Sequence, residues 1–166
     1  MAKTNSFDIS TGVDLQEVDN AVNQAHKEIA QRYDFKGTNC ALDFDRDAGT
    51  MKLEADDTYR LDALRQVLRE KLARRKVPLK NLDAGKVEDA TLGRARQTIS
   101  LKQGIDQETA KRISKDVRDG DFKKVQVQIQ GDQLRVMAPS RDTLQEIIAF
   151  LKARDYGVEL QFGNYR

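Results

Sequence analysis

The chain has 166 residues, with one cysteine, one histidine, and 29 basic against 27 acidic side chains for a net charge of +2. That supply excludes an intrachain disulfide and a zinc site built from His and Cys ligands alone, and so small a charge is by itself no argument for nucleic-acid binding. There is no run of 18 apolar residues, so no membrane span is predicted. Residues 1–8 hold no apolar signal segment, and the lone Cys40 suits a reducing cytoplasm.

In chain order, Phe7 and Ile9 alternate as a short strand. Leu15, Val18, Val22, Ala25 and Ile29 recur at helical spacing, opened by Asp14 with Glu17 three residues on, a capping-box pattern. Asp34-Phe35-Lys36-Gly37 ends that helix, with Gly37 suited to a positive-φ turn. Cys40, Leu42 and Phe44 alternate, then Met51 and Leu53 alternate back, which predicts a β-hairpin with Cys40 on its inward face. A helix from about Thr58 to Lys76 follows, stopped by Pro78, and a short strand lies near Leu79 to Asp83. Gln97, Ile99 and Leu101 make the next strand face, and Gly104 turns the chain into a helix through Ala110, Ile113 and Val117. Val125, Val127 and Ile129 pair with Leu134 and Val136 across Gln130-Gly131-Asp132-Gln133. The last elements are a helix behind Ser140 (Leu144, Ile147, Ile148, Leu151) and a strand of Val158, Leu160 and Phe162.

A displacement of 83 residues brings the second half into step with the first. Leu42 and Phe44 fall on Val125 and Val127, Met51 and Leu53 on Leu134 and Val136, and Leu61, Leu64 and Leu68 on Leu144, Ile147 and Leu151. Gly37 falls on Gly120 and Asp57 on Ser140. One unit used twice implies a tandem pair, since a solenoid usually needs three or more repeats. Both units read β-α-β-β-α-β. The expected fold class is therefore α+β: two ferredoxin-like, RNP-like domains, each an antiparallel sheet with helices on one face. The expected division is a first domain over 1–84, a linker over 85–94 and a second domain over 95–166. Tandem units of this kind can exchange terminal strands.

Few residues carry chemistry. Everything nucleophilic would depend on His26, which lies at the border of an apolar helical stripe, so nothing argues for catalysis and no enzyme, metal or cofactor is expected. Asp43, Asp45, Asp47 and Glu54 fall at EF-hand positions, but the glycine is one place late and the alternation demands strands, so a polar hairpin turn is the better reading. The central strands Thr50–Glu54 and Gln133–Met137 lack the aromatics on which RNA-recognition sheets stack bases. What remains is cationic and polar: Lys102 and Gln103 at a strand end, Gly104 before a helix whose N–H groups suit a phosphate, Arg135 on a strand and Arg141 in a first turn. Between Arg60 and Lys76 there are seven basic residues and two acids. That cluster reads either as a solvated helix face or as a phosphate-binding surface.

At these residues the chain resembles the YajQ family over essentially its full length. The stretches that carry the resemblance are Ser6–Ile9, Arg32–Thr38, Leu101–Ile105, Val125–Asp132 with Leu134–Val136, Ser140–Asp142 with Leu144–Gln145, Gln161–Phe162 and Asn164–Arg166. Met137, Ala138 and Pro139 depart from the family's usual Gly and Lys, which removes a cation from that loop. The resemblance implies two ferredoxin-like domains and a nucleotide-binding role without catalysis, with cyclic di-GMP, ATP, GTP or tRNA as ligands. It transfers no ligand-contact set, so the candidates rest on side-chain chemistry. Lys102, Lys124, Arg135 and Arg141 are expected to hold phosphates beside Gly104, with Gln103 or Gln128 at a base edge and Asp34, Lys36 and Arg166 as secondary candidates. The expected function is that of a nucleotide effector acting through a partner. The alternatives are an RNA-binding accessory protein using Arg69, Arg74 and Arg75, and a protein adaptor without nucleotide.

Overall fold

Alternation of apolar and polar residues, and the turns that interrupt it, set every strand. The computed structural model describes residues 4–166. In chain order the strands and helices are β1 (Asn5–Ser10), α1 (Leu15–Gln31), β2 (Ala41–Asp45), β3 (Thr50–Ala55), α2 (Thr58–Arg74), β4 (Leu82–Ala84), β5 (Glu88–Asp89), β6 (Ala95–Leu101), α3 (Gln107–Asp119), β7 (Gln126–Gln130), β8 (Gln133–Ala138), α4 (Arg141–Lys152) and β9 (Gln161–Gly163). All strand pairs are antiparallel, as expected for an α+β fold.

The helix starts follow from capping. Asp14 accepts from the Gln16 N–H at 2.9 Å, Asp57 from Arg60 at 2.8 Å, Asp106 from Thr109 at 2.7 Å and Ser140 from Asp142 at 3.2 Å, each satisfying a donor that the helix leaves open. The capping box expected at Glu17 is only half formed. That carboxylate instead accepts from Asn20 and pairs with Arg75.

The expected division of the chain does not match the pairing. One compact unit comprises residues 1–12 with 103–166, and the other comprises 13–102. In the first, the strand order is β7-β8-β1-β9; in the second it is β2-β3-β6-β4. Each is the sheet of a β-α-β-β-α-β unit, but the two first strands have changed places. β1 is central in the sheet of the later elements, and β6 is central in the sheet of the earlier ones. The span expected to be a linker is paired as well: β5 lies on β6, and the Gly85 N–H donates to Thr98 O at 2.9 Å.

Burial explains why both exchanged strands hold. On β1, Phe7 and Ile9 are fully buried with Leu134, Val136, Ile113 and Ile147, and the Phe7 ring meets Phe162 edge-on at 5.8 Å. On β6, Ala95, Gln97, Ile99 and Leu101 face inward toward Met51, Leu53, Leu61 and Leu64. Each such apolar side chain contributes about 1.5–3 kcal/mol by leaving water. Gln97 is the polar exception, and both ends of its amide are used: it accepts from Arg65 at 2.7 Å and donates to Gly85 O at 2.7 Å.

The internal echo is real in β3 and β8, in α2 and α4, and in their caps Asp57 and Ser140, but its offset slips in the hairpins. Leu53 pairs Leu42, whereas Val136 pairs Val127, so Leu42 corresponds to Val127 and not to Val125. The cause is the turn: Arg46–Gly49 connects the first hairpin, Gly131-Asp132 alone the second. The first turn also disposes of the EF-hand reading, because strands flank it and Gly49 turns the backbone at φ +67°. Cys40 stands just before β2, half-buried against the core, and burial pushes its thiol up.

Candidate functional site

Three of the stretches singled out in the sequence meet in the unit formed by residues 1–12 and 103–166. β1 begins at Asn5, α4 begins at Arg141, and the final segment returns beside β1, where the Arg166 N–H donates to Ser6 O at 3.0 Å and the Ser6 N–H to Arg166 O at 3.2 Å. Between them lies a cavity of about 260 Å³ lined by Asn5, Ser6, Arg141, Leu144, Gln145, Tyr165 and Arg166.

Its walls have distinct chemistry. Asn5 ties the strand to the helix start, donating to Pro139 O at 3.0 Å while its side-chain oxygen accepts from Arg141 Nε at 3.4 Å. Among the described residues neither Arg141 nor Arg166 is ion-paired with a carboxylate, so both guanidiniums keep donors for an incoming anion. Tyr165 leans on the buried Phe7 ring at 6.3 Å yet stays 59% exposed, which offers an aromatic surface at the rim. Gln145 adds an amide with both a donor and an acceptor. The arrangement suits a small anion carrying a flat apolar ring.

The other sequence candidates fall elsewhere. Arg135 faces Asp8 across β8 and β1, with Nε 2.9 Å from the carboxylate, and Asn164 Nδ2 donates to the second oxygen at 2.7 Å. The Arg135 hydrogen bond holds the Asp8 carboxyl below the usual carboxylate range, against the opposing pull of burial. Gln128 is the next partner in that row, exposed on β7. Lys124 is exposed at φ +54° just before β7. Lys102 closes β6 in the 13–102 unit, its N–H donating to Asn81 O at 2.8 Å.

Gly104 does not leave an open cradle for phosphate. A Cβ there would lie 2.6 Å from Asp132 Oδ2, and the Ile105 N–H donates to Asp132 O at 3.0 Å. The turn before α3 is thus already faced by a carboxylate, which suits the helix dipole and disfavours a second anion.

In the 13–102 unit, Asp34 is paired with Arg32 at 2.7 Å and Lys36 follows it in an exposed loop. Lys36 lines a hollow with Thr38, Cys40 and His26, whose Nε2 lies 2.6 Å from Leu42 O. The basic second helix divides. Arg74 and Arg75 line an open groove with Lys27 and Lys71 between α1 and α2, whereas Arg69 is exposed outside it. Two acids temper the groove: Lys71 Nζ is 2.9 Å from Glu28, and Arg75 is 3.6 Å from Glu17. No group of three or more His, Cys, Asp or Glu side chains among the described residues is placed to hold a metal. No helix among them is long and apolar enough to cross a membrane.

Asn5 and Gln145 are the lining residues that side-chain reasoning passed over. Their signal was positional: Asn5 precedes the Phe7 alternation by two places, and Gln145 follows Arg141 by one helical turn, so both point where Arg141 points.

Comparison with known proteins places the whole chain. The family described as "Nucleotide-binding protein YajQ-like" matches residues 5–166. A protein of Geotalea uraniireducens (strain Rf4) named "Nucleotide-binding protein" is 50% identical over 161 residues, covering 97% of this chain and 98% of the relative. One of the same name from Carboxydothermus hydrogenoformans (strain ATCC BAA-161 / DSM 6008 / Z-2901) is 49% identical over 166 residues, the full length of both. With a cavity assembled from stretches that carry the resemblance, and with relatives matching from end to end, the chain belongs to the YajQ family.

Proposed function

We propose that this protein is a non-catalytic, cytoplasmic nucleotide-binding effector, and that the nucleotide's phosphate sits between Arg141 and Arg166 with its base against Tyr165. The observation that carries this reading is the single cavity holding two guanidiniums without carboxylate partners beside an exposed aromatic ring. The names of the relatives support it. Asn5 and Gln145 are then the groups that read the base, since side-chain amides pair with base edges through two hydrogen bonds.

Size bears on the choice among cyclic di-GMP, GTP and ATP. At about 260 Å³ the cavity is below the roughly 300–1,000 Å³ of pockets that enclose whole ligands. A cyclic dinucleotide would place one nucleotide inside and leave the other half exposed, where a partner protein can read it.

Isothermal titration of cyclic di-GMP, GTP and ATP tests the proposal. Arg141→Ala and Arg166→Ala should each weaken the bound ligand about tenfold or more, the worth of a hydrogen bond to a charged group. Absence of heat with all three ligands, or a double variant that binds like the unsubstituted chain, overturns it.

The groove of Lys27, Lys71, Arg74 and Arg75 supports the second reading, RNA binding, because four cations share one concave surface. RNA on that groove predicts a steep fall of affinity with salt, since several phosphates are neutralised together. Loss on replacing Arg74 and Arg75, with no effect of Arg141→Ala, would favour RNA over the small ligand.

A further inference from the structure

The two sheets have four edges, and one of them is undefended. β9 and β4 are three residues each, too short to template a partner. β2 places Asp43 and Asp45 along its edge, and such charges repel an approaching strand. β7 reads Gln-Val-Gln-Ile-Gln, with no charge and no proline, and four of its five residues are exposed. Ile129 is 37% exposed, one of the few large apolar side chains so placed.

Its open hydrogen-bonding groups can be assigned. Gln130 and Gln133 flank the two-residue turn and pair with each other, so Gln130, Gln128 and Gln126 exchange their backbone bonds with β8. Val127 and Ile129 therefore turn their N–H and C=O groups to the free side.

We propose that β7 is a self-pairing edge: two copies of this chain join antiparallel along Gln126–Gln130 about a two-fold axis at Gln128. The register follows from the strand itself. A two-fold axis at Gln128 sets Val127 opposite Ile129 of the partner copy, and these are the residues with outward backbone groups. The two such pairs supply about four backbone hydrogen bonds. Gln128 meets Gln128 of the partner copy, and Gln126 meets Gln130 of the partner copy, amide to amide without charge repulsion.

Charge beyond the strand agrees with this register. Lys124 lies four residues before the axis and Asp132 four after it, so Lys124 comes opposite Asp132 of the partner copy, once at each end. Moving the axis to Val127 or Ile129 shortens the overlap and separates those charges. A second copy is thus the occupant whose charges and side chains match the edge in both directions. Five residues make a small contact, so the association is weak and depends on concentration.

Sedimentation velocity on the full 18.8 kDa chain from micromolar to millimolar concentration tests the proposal. The weight-average mass should rise toward that of a dimer. Ile129→Lys should raise the dissociation constant by more than about tenfold, a loss of over 1.4 kcal/mol. Lys124→Asp and Asp132→Lys should each weaken association, and the double variant should recover it. Amide exchange in the unsubstituted chain gives an answer free of folding defects. Val127 and Ile129 should gain protection as concentration rises, while Gln126, Gln128 and Gln130 stay protected throughout. A chain monomeric across the range, an Ile129→Lys protein that associates normally, a double variant no better than its singles, or Val127 and Ile129 exchange independent of concentration would each overturn it.

Discussion

Asp8 and Arg135 face each other on adjacent strands at 2.9 Å, although 127 positions of sequence separate them. One comes from the first strand of the chain and the other from its eighth, and their pairing is possible only because β1 has left the sheet of its sequence neighbours. With side-chain exposures of 15% and 26%, the pair is partly shielded from water.

A double-mutant cycle with Asp8→Asn and Arg135→Gln should return a coupling of about 1 kcal/mol, the upper range for pairs that solvent still reaches. Its pH dependence has a definite sign. Arg135 lowers the folded-state pKa of Asp8, so the contribution is complete above the unfolded carboxyl value of about 3.9 and is lost as pH falls through the depressed folded value. Urea midpoints of the unsubstituted chain and Asp8→Asn should differ at pH 7 and converge at the most acidic pH where both still fold.

Residues 13–102 should fold alone, because they contain β6 and so every strand of their sheet. Fragments 1–84 and 95–166 should not, because each lacks its central strand and keeps one that belongs elsewhere. Circular dichroism melts should be cooperative for the first and broad for the other two. Cooperative melting of 1–84 would show that β1 can substitute for β6.

Gly104→Ala should cost about 1–3 kcal/mol, since the new methyl would lie 2.7 Å from Asp132 Cβ, an atom close to the backbone and slow to yield. Chemical denaturation measures the loss. Asp132→Gly in the same chain should return much of it, a rescue that a purely conformational effect at Gly104 would not give.

Glu28 and Lys71 form the contact of α1 with α2 in which the ammonium is 8% exposed. Glu28→Gln leaves that charge without its partner and should cost about 1–2 kcal/mol. Lys71→Met removes the charge and keeps the stem, and should cost less. Lys71 lowers the Glu28 pKa, so the Glu28 contribution holds above the usual carboxylate range and disappears below it. Thermal melts at pH 7 and pH 4 on the three proteins check both statements.

Much of the fold could be read because local rules set it. Asp14, Asp57, Asp106 and Ser140 cap the helices, and Gly37, Gly49 and Gly131 take positive φ at their turns. The exchange of β1 and β6 was open at the sequence level for a physical reason. Alternation in Phe7-Asp8-Ile9 or Gln97-Thr98-Ile99 states which face is buried, not which sheet does the burying. Both strands are apolar on one side, and either sheet accepts such a strand.

The site was legible in pieces. Arg141 was a direct candidate and Arg166 a secondary one, and they share a cavity because the final segment pairs with Ser6. Arg135 looked equally available, since a sequence does not state that Asp8 lies across from it. Gly104 looked like an anion cradle because nothing local betrays the Asp132 carboxylate that faces it. Each misplacement comes from a partner more than 25 positions away.

The exchange of first strands also sets an order of events at the ribosome. The 13–102 unit is complete once Leu101 has emerged. β1, made first, has no sheet until β8 and β9 follow, a delay on the order of ten seconds at ordinary elongation rates. Throughout that interval Phe7 and Ile9 are apolar side chains without a core, on a nascent chain whose middle has already folded. The earliest residues to leave the exit tunnel are thus among the last to find their place, and they are where a chaperone should be found.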